Sequence, residues 1–308
     1  GTLAKTEDML QYEYARPALK LGLKLGKQTG ANPYKFGMIG ASDTHTALAT
    51  TREENYFGKY KSAEPGPDRH DTEVVPAQDP SLRVFASQEL ASGLTAVWAR
   101  ENTRGEIFGA MKRKEVYATT GTRIRVRVFA GWDFEADEVT RPDFIAQGYR
   151  RGVPMGGELR KAPDGKAPSF MIRALRDPDG ANLDRIQVIK GWLDEKGETH
   201  ERIYDVAVSD GRKVGNDGRV KEPVGNTVDL ATATYTNTIG TAILGAHWVD
   251  PDFDPNEDAF YYVRVLEIPT PRWTTYDAAF YGIDLPDNVP ATIQDRAYTS
   301  PIWYTPKS

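Results

Sequence analysis

An α+β chain is expected, with an incomplete α/β portion over residues 1–120 followed by an antiparallel β-sandwich over 121–308. Two textures predict this. Before Gly121, helix-like and strand-like segments alternate; after it come short β-rich runs divided by Gly, Pro, Asp and Asn clusters. Size agrees: 308 residues, 39% hydrophobic and 27% charged, suffice for one large or two ordinary domains and exclude a disordered chain.

Leu19, Leu21, Leu23 and Leu25 alternate with Lys20, Gly22, Lys24 and Gly26, which fits a strand. Pro17 in a first turn, the helix preference of Leu and Gly30 as a stop favour a helix over 17–29 instead. Phe36-Gly37-Met38-Ile39-Gly40-Ala41 is short, apolar and preceded by Asn32-Pro33, the pattern of a strand buried on both faces. Residues 58–81, rich in Pro, Asp, Lys and Gly, read as a long polar loop. Thr103 stands three residues before Glu106, as in a capping box, and Ile107, Phe108 and Met111 then share a helical face, with the helix ending near Lys114. A short strand over 116–119 closes the first region.

In the second region, strands are expected over 124–129, 169–175, 185–189, 202–208 and 260–267. Ile124-Arg125-Val126-Arg127-Val128 alternates strictly, so one face is buried and the other wet. Asp177-Pro178-Asp179-Gly180, Glu195-Lys196-Gly197 and Asn216-Asp217-Gly218 mark the turns. No helical pattern intervenes, which makes the sheets antiparallel.

Charge and composition narrow the function. With 39 Lys+Arg against 44 Asp+Glu and no block of like charges, a dedicated nucleic-acid surface or polybasic membrane patch is excluded. The absence of cysteine removes disulfide scaffolds, thiolate zinc sites and cysteine nucleophiles. No run approaches the roughly 18–20 apolar residues of a membrane span. Residues 1–8 lack the apolar core of a signal peptide, and the start at Gly1 suggests that an upstream segment is missing.

Asp43 and His45 carry the sharpest chemical signal. In an extended segment, residues i and i+2 point the same way, so both side chains can converge on one point just after a strand. A carboxylate and an imidazole suit Zn²⁺, Mn²⁺ or Fe²⁺. The same residues also fit an Asp cap and a hydrogen-bonded loop His. His70 lies in the polar loop, and His200 and His247 read as structural. The acidic run 250–258 fails the EF-hand template, because Pro255 stands where Gly is needed and Tyr261 where a bidentate Glu belongs. It reads as a solvated acidic turn, with a non-standard calcium loop as the alternative. Gly152-Val153-Pro154-Met155-Gly156-Gly157 lacks the Lys-Ser/Thr of a phosphate loop and reads as a turn. There is no Gly-x-Ser-x-Gly elbow.

Longer stretches are more specific. Asn32 to Gly37, Ser42-Asp43-Thr44-His45-Thr46, Ala96 to Arg104, Glu115 to Gly121, Asp177 to Asp184, Leu266 to Trp273 and Thr299 to Tyr304 are spread over nearly the whole chain. Together they resemble a bacterial family of unknown function related to the PHP (polymerase and histidinol phosphatase) metal-dependent hydrolases. The resemblance implies a PHP-like barrel with a metal cluster at its strand ends, followed by a β-sandwich, with residues 1–120 the last part of that barrel. Its last metal motif is Ser-Asp-x-His, which makes Asp43 and His45 ligands of a divalent Zn, Mn or Fe centre. PHP-like sites also use an N-terminal His-x-His motif and further Glu and His ligands, and this sequence has no His-x-His. The chain therefore looks like the C-terminal half of a metal-dependent hydrolase, with a phosphoester the expected substrate, and is expected to be inactive alone. It is expected to self-associate or to pair with the missing N-terminal half. Export to the periplasm or exterior fits the resemblance. The alternatives are a non-catalytic β-sandwich binding or structural module, and a calcium-stabilised surface domain.

Overall fold

Alternation along the longest strands sets the architecture. In Asp258–Glu267, Ala259, Tyr261, Val263 and Val265 enter one apolar cluster, while Phe260 and Tyr262 enter another on the opposite face. The computed structural model describes residues 6–91 and 93–306. In chain order it forms α1 (Ala15–Thr29), β1 (Glu73–Val75), β2 (Val84–Phe85), β3 (Leu94–Val97), α2 (Arg104–Lys112), β4 (Val116–Thr119) and β5 (Arg125–Gly131). Then follow α3 (Phe144–Arg151), β6 (Gly152–Pro154), β7 (Glu158–Arg160), β8 (Ser169–Leu175), β9 (Leu183–Leu193) and β10 (Thr199–Val208). The rest is β11 (Ile243–Val249), β12 (Asp258–Glu267), β13 (Thr270–Pro271), α4 (Trp273–Tyr281), β14 (Thr292–Ile293), β15 (Arg296–Thr299) and β16 (Ile302–Thr305).

The larger sheet runs β10-β9-β12-β15-β4-β3, with β16 also paired to β12 and, in parallel, to β7. It carries strands from both sides of residue 120. The second sheet runs β11-β8-β5-β6, antiparallel throughout. Val126 and Val128 of β5, with Phe170 and Ile172 of β8, share one core with Ile186 and Val188 of β9 and with the inward face of β12.

Each sheet is covered on its outer face. Leu19 and Leu23, one turn apart on α1, pack with Ile189, Leu193, Phe260 and Trp303 on the larger sheet. Gly30 ends this helix in the left-handed conformation, φ 80°, and donates to the Gly26 carbonyl at 3.0 Å, as the stop signal requires. Phe129 and Met171 on the smaller sheet pack with Phe134, Val139 and Phe144. The fold is thus mixed α and β, mostly strand, with four α-helices among the described residues. No sheet closes into a barrel among the described residues.

Several expectations need correction. Residues 36–41 form no strand. Their backbone groups find scattered partners instead of a ladder: Ser300 Oγ accepts from Met38 N at 2.9 Å, Thr95 Oγ1 donates to the Gly40 carbonyl at 2.5 Å, and Gly93 N donates to the Ala41 carbonyl at 3.0 Å. Ile39 is 61% exposed, while Phe36 and Met38 rest half-buried against the α1 cluster. Gly40 permits this close approach, since a Cβ there would lie 2.5 Å from the Leu94 carbonyl oxygen. On α2, Thr103 caps Glu106 N as expected, but the face with Phe108 (66% exposed) and Met111 points outward, and the helix buries only Ala110. The 58–81 segment is pinned. Arg69 is buried, forks onto Asp277 of α4, donates to the Tyr56 carbonyl at 2.8 Å and lies over the Trp273 ring.

The acidic 250–258 run is a largely solvent-facing turn, as expected, except at its first residue. Asp250 is buried, with Lys190 Nζ and the Tyr261 hydroxyl each 2.7 Å from its Oδ2. Lys190 Nζ also donates to the Asp252 carbonyl at 2.7 Å. The strands expected over 124–129, 169–175, 185–189, 202–208 and 260–267 all form: β8 keeps the expected bounds, and the other four extend beyond theirs at one end or both.

Candidate functional site at Asp43 and His45

Asp43 has φ 49°, a left-handed conformation that Asp tolerates better than most residues. The backbone therefore turns here, and the extended i, i+2 geometry expected for Asp43 and His45 is not what places them. They are positioned by Lys59 and Tyr60 instead. His45 N donates to the Lys59 carbonyl at 2.9 Å. Lys59 Nζ lies 2.5 Å from Asp43 Oδ2. The His45 ring stacks on Tyr60, with centroids 4.6 Å apart and planes 30° apart.

Electrostatics and hydrogen bonding then define each head. The Lys59 ammonium holds the Asp43 carboxyl below the usual carboxylate range, so it is ionised. His45 Nδ1 is 2.9 Å from the backbone oxygen of Asp43. A carbonyl only accepts, so the proton of the neutral ring sits on Nδ1 and Nε2 carries the lone pair. Ligating histidines are oriented by the same kind of bond.

Glu89 adds a second acidic group. Burial raises its pKa, and the charges of Lys59, Asp43 and His45 all act on it. Among the described residues, neither its Oε2 nor the nearby Tyr56 hydroxyl, both buried, closes a hydrogen bond of normal geometry. The donor types suit a divalent transition metal, but among the described residues no group of three or more His, Asp and Glu is arranged to hold one. A catalytic zinc typically takes about three protein ligands and keeps one open position.

The other sequence candidates lie elsewhere. His70 belongs to a single helical turn beside Arg69. His200 Nε2 is 2.8 Å from Asp194 Oδ2, and its ring stacks on Trp192. His247 Nε2 is 2.8 Å from the Phe134 carbonyl. The glycine-rich 152–157 stretch supplies β6 and a turn through Gly156, φ 82°. Sequence reasoning missed Lys59, Tyr60 and Glu89. Lys59 and Tyr60 are neighbours in one segment and Glu89 lies in another, and no local spacing ties either to Asp43 and His45.

No helix among the described residues is long and apolar enough to cross a membrane. Comparison with curated proteins yields no match. Residues 1–306 match the family described as "Protein of unknown function (DUF3604)", and the chain belongs to that family.

Proposed function

We propose that Asp43 and His45 are ligands of a divalent Zn, Mn or Fe centre in a PHP-like metal-dependent hydrolase acting on a small phosphoester. The ligands that complete the shell come from residues outside those described. On this reading, residues 1–120 are the last part of a PHP-like barrel and 121–308 are the β-sandwich that carries it.

One observation supports the reading above the others: the bond from His45 Nδ1–H to the Asp43 carbonyl, which leaves Nε2 free beside an ionised carboxylate. When bound, such a metal supplies Lewis acidity and lowers the pKa of a water ligand. The chain's own residues do the positioning. Lys59 keeps Asp43 anionic, Tyr60 fixes the plane of the imidazole, and Glu89 contributes a further carboxyl at the same edge.

The test is titration of Zn²⁺ or Mn²⁺ while the His45 imidazole is followed by NMR. Two ligands give weak, saturable binding that perturbs His45 and is lost in Asp43→Ala. A His45 that ignores the metal, or a response that survives Asp43→Ala, overturns the ligand assignment and leaves a non-catalytic β-sandwich module. Tight stoichiometric metal with turnover of p-nitrophenyl phosphate by this chain alone contradicts the incomplete shell.

A further inference from the structure

A second site shares no residue with the Asp43 and His45 group. A cavity of about 640 Å³ opens between the 80–90 segment, which carries β2, and the 288–293 segment, which carries β14. In a chain of net charge −5, its lining holds two arginines and no acid. Arg83 is exposed and already pairs with Glu73, 3.3 Å from its Nε. Arg272, between β13 and α4, is different, for it lines the cavity and yet is only 3% exposed.

A guanidinium carries its N–H donors in a rigid planar fork. In Arg272, Nη1 donates to the Ser87 carbonyl at 2.7 Å and Nη2 to the Glu89 carbonyl. Its Nε is buried with no hydrogen-bond partner among the described residues, and among them Arg272 forms no ion pair. Glu53 acts on it through space only, because that carboxyl is held by the N–H groups of Trp273 and Ala91. Burial raises Glu53 to about 7, so near neutral pH it is only partly ionised. Burial lowers the pKa of Arg272, yet a guanidinium stays charged at neutral pH and cannot escape the cost by losing its proton. A fixed positive charge thus stands in the wall of the cavity with a donor left over.

We infer that this cavity binds a small apolar monocarboxylate, its head paired with Arg272 and its body packed against Phe85, Leu90 and Ile293. The planar fork of a guanidinium matches a carboxylate. One unpaired charge calls for a monoanion; a phosphate dianion would bring a second charge that nothing here answers, since Arg83 is already paired. Phe85 and Ile293 are half-buried and Leu90 is 51% exposed, so an apolar body that covers them leaves water and takes their surface with it. The volume lies within the roughly 300–1,000 Å³ of small-molecule sites, room for an aromatic ring that bears a carboxylate. The inference is independent of the metal reading of Asp43 and His45.

The experiment compares phenylacetate, phenylacetamide and inorganic phosphate on the whole chain by calorimetry and NMR. Phenylacetate is expected to bind and to shift the Ser87 and Ile293 amide signals. Phenylacetamide, of the same shape but neutral, should bind about tenfold more weakly or worse, the loss of a charge-assisted bond. Arg272→Lys keeps the charge without the fork and should weaken phenylacetate about tenfold. Ser87→Asp sets a competing carboxylate beside Arg272 and should weaken it as much. Ser87 lines the cavity, where added atoms have room, so this variant decides if the melting curve shows that Arg272→Lys does not fold. Equal binding of phenylacetamide, phosphate bound more tightly than phenylacetate, affinity unchanged in the folded variants, or no binding of phenylacetate overturns the proposal.

Discussion

The carboxylate of Glu53 accepts the backbone N–H of Trp273 at 2.7 Å, across 220 residues of sequence. Its other oxygen accepts Ala91 N at 3.2 Å. Trp273 is the first residue of α4, so a buried carboxyl group satisfies one of the free N–H donors at the start of that helix, which has no side-chain cap of its own. This contact holds the N-terminal segment against the C-terminal part of the chain.

It also gives stability a pH dependence. Burial raises Glu53 from its ordinary 4.5 to about 7, against the pull of its two N–H donors. Between those values the folded state keeps a proton that the unfolded state has released. The contribution is therefore fully present below 4.5 and is lost as pH rises through about 7. Asp295, raised from 3.8 to about 6, acts with the same sign. Urea unfolding should show a loss of about 2–3 kcal/mol between about pH 5 and pH 8, and a shallower slope in Glu53→Gln. A wild-type midpoint that rises over this range would refute the account.

Arg69 should be irreplaceable by lysine. Its guanidinium forks onto both oxygens of Asp277 and lies over Trp273, 4.4 Å from the ring centroid. Arg69→Ala leaves Asp277 without its partner and should cost about 3–5 kcal/mol. Arg69→Lys keeps the charge but not the fork, so denaturant unfolding should show only partial recovery. Full recovery with lysine would mean that charge alone matters.

Lys190 and Asp250 form a buried ion pair, so removing one partner is worse than removing both. Lys190→Ala should destabilise by about 3–5 kcal/mol, and Lys190→Met combined with Asp250→Asn by much less. Because Lys190 already neutralises Asp250, Ca²⁺ should leave the melting temperature where EGTA does. A calcium-dependent rise, abolished by Asp252→Asn and Asp254→Asn, would restore the calcium loop.

Leu19 is 0% exposed at the seam between α1 and the larger sheet. Leu19→Ala should cost about 2–5 kcal/mol and speed hydrogen exchange in α1 before it does so in β12. Uniform loss of protection would show that α1 and the sheet unfold together.

The sequence reveals the frame through strands that bury two faces or alternate cleanly, such as β5, β8 and β12. It hides β11, where Gly245, Ala246 and His247 interrupt the pattern, and the far end of β9, where buried Lys190 reads as a surface residue. α4 begins Trp-Thr-Thr-Tyr, poor helix formers, and depends on Glu53 for its first turn. Residues 36–41 mislead because their apolar run says nothing of the hydroxyls of Ser300 and Thr95 that take its backbone groups. Asp43 and His45 were visible as a spaced pair. The residues that orient them were not, because tertiary contact alone brings Lys59, Tyr60 and Glu89 to that place.

The parallel pairing of β16 with β7 imposes an order of assembly. Trp303 sits opposite Glu158, and Thr305 Oγ1 donates to a Glu158 oxygen 147 residues earlier. During synthesis, β7 must wait unpaired on this side while nearly half the chain emerges, an aggregation hazard of late-closing sheets. Lys35, 2.6 Å from Glu158, is available from the start and can shield that waiting edge with charge. Refolding should then be limited by arrival of this final strand, a long-range event, rather than by formation of the local hairpins.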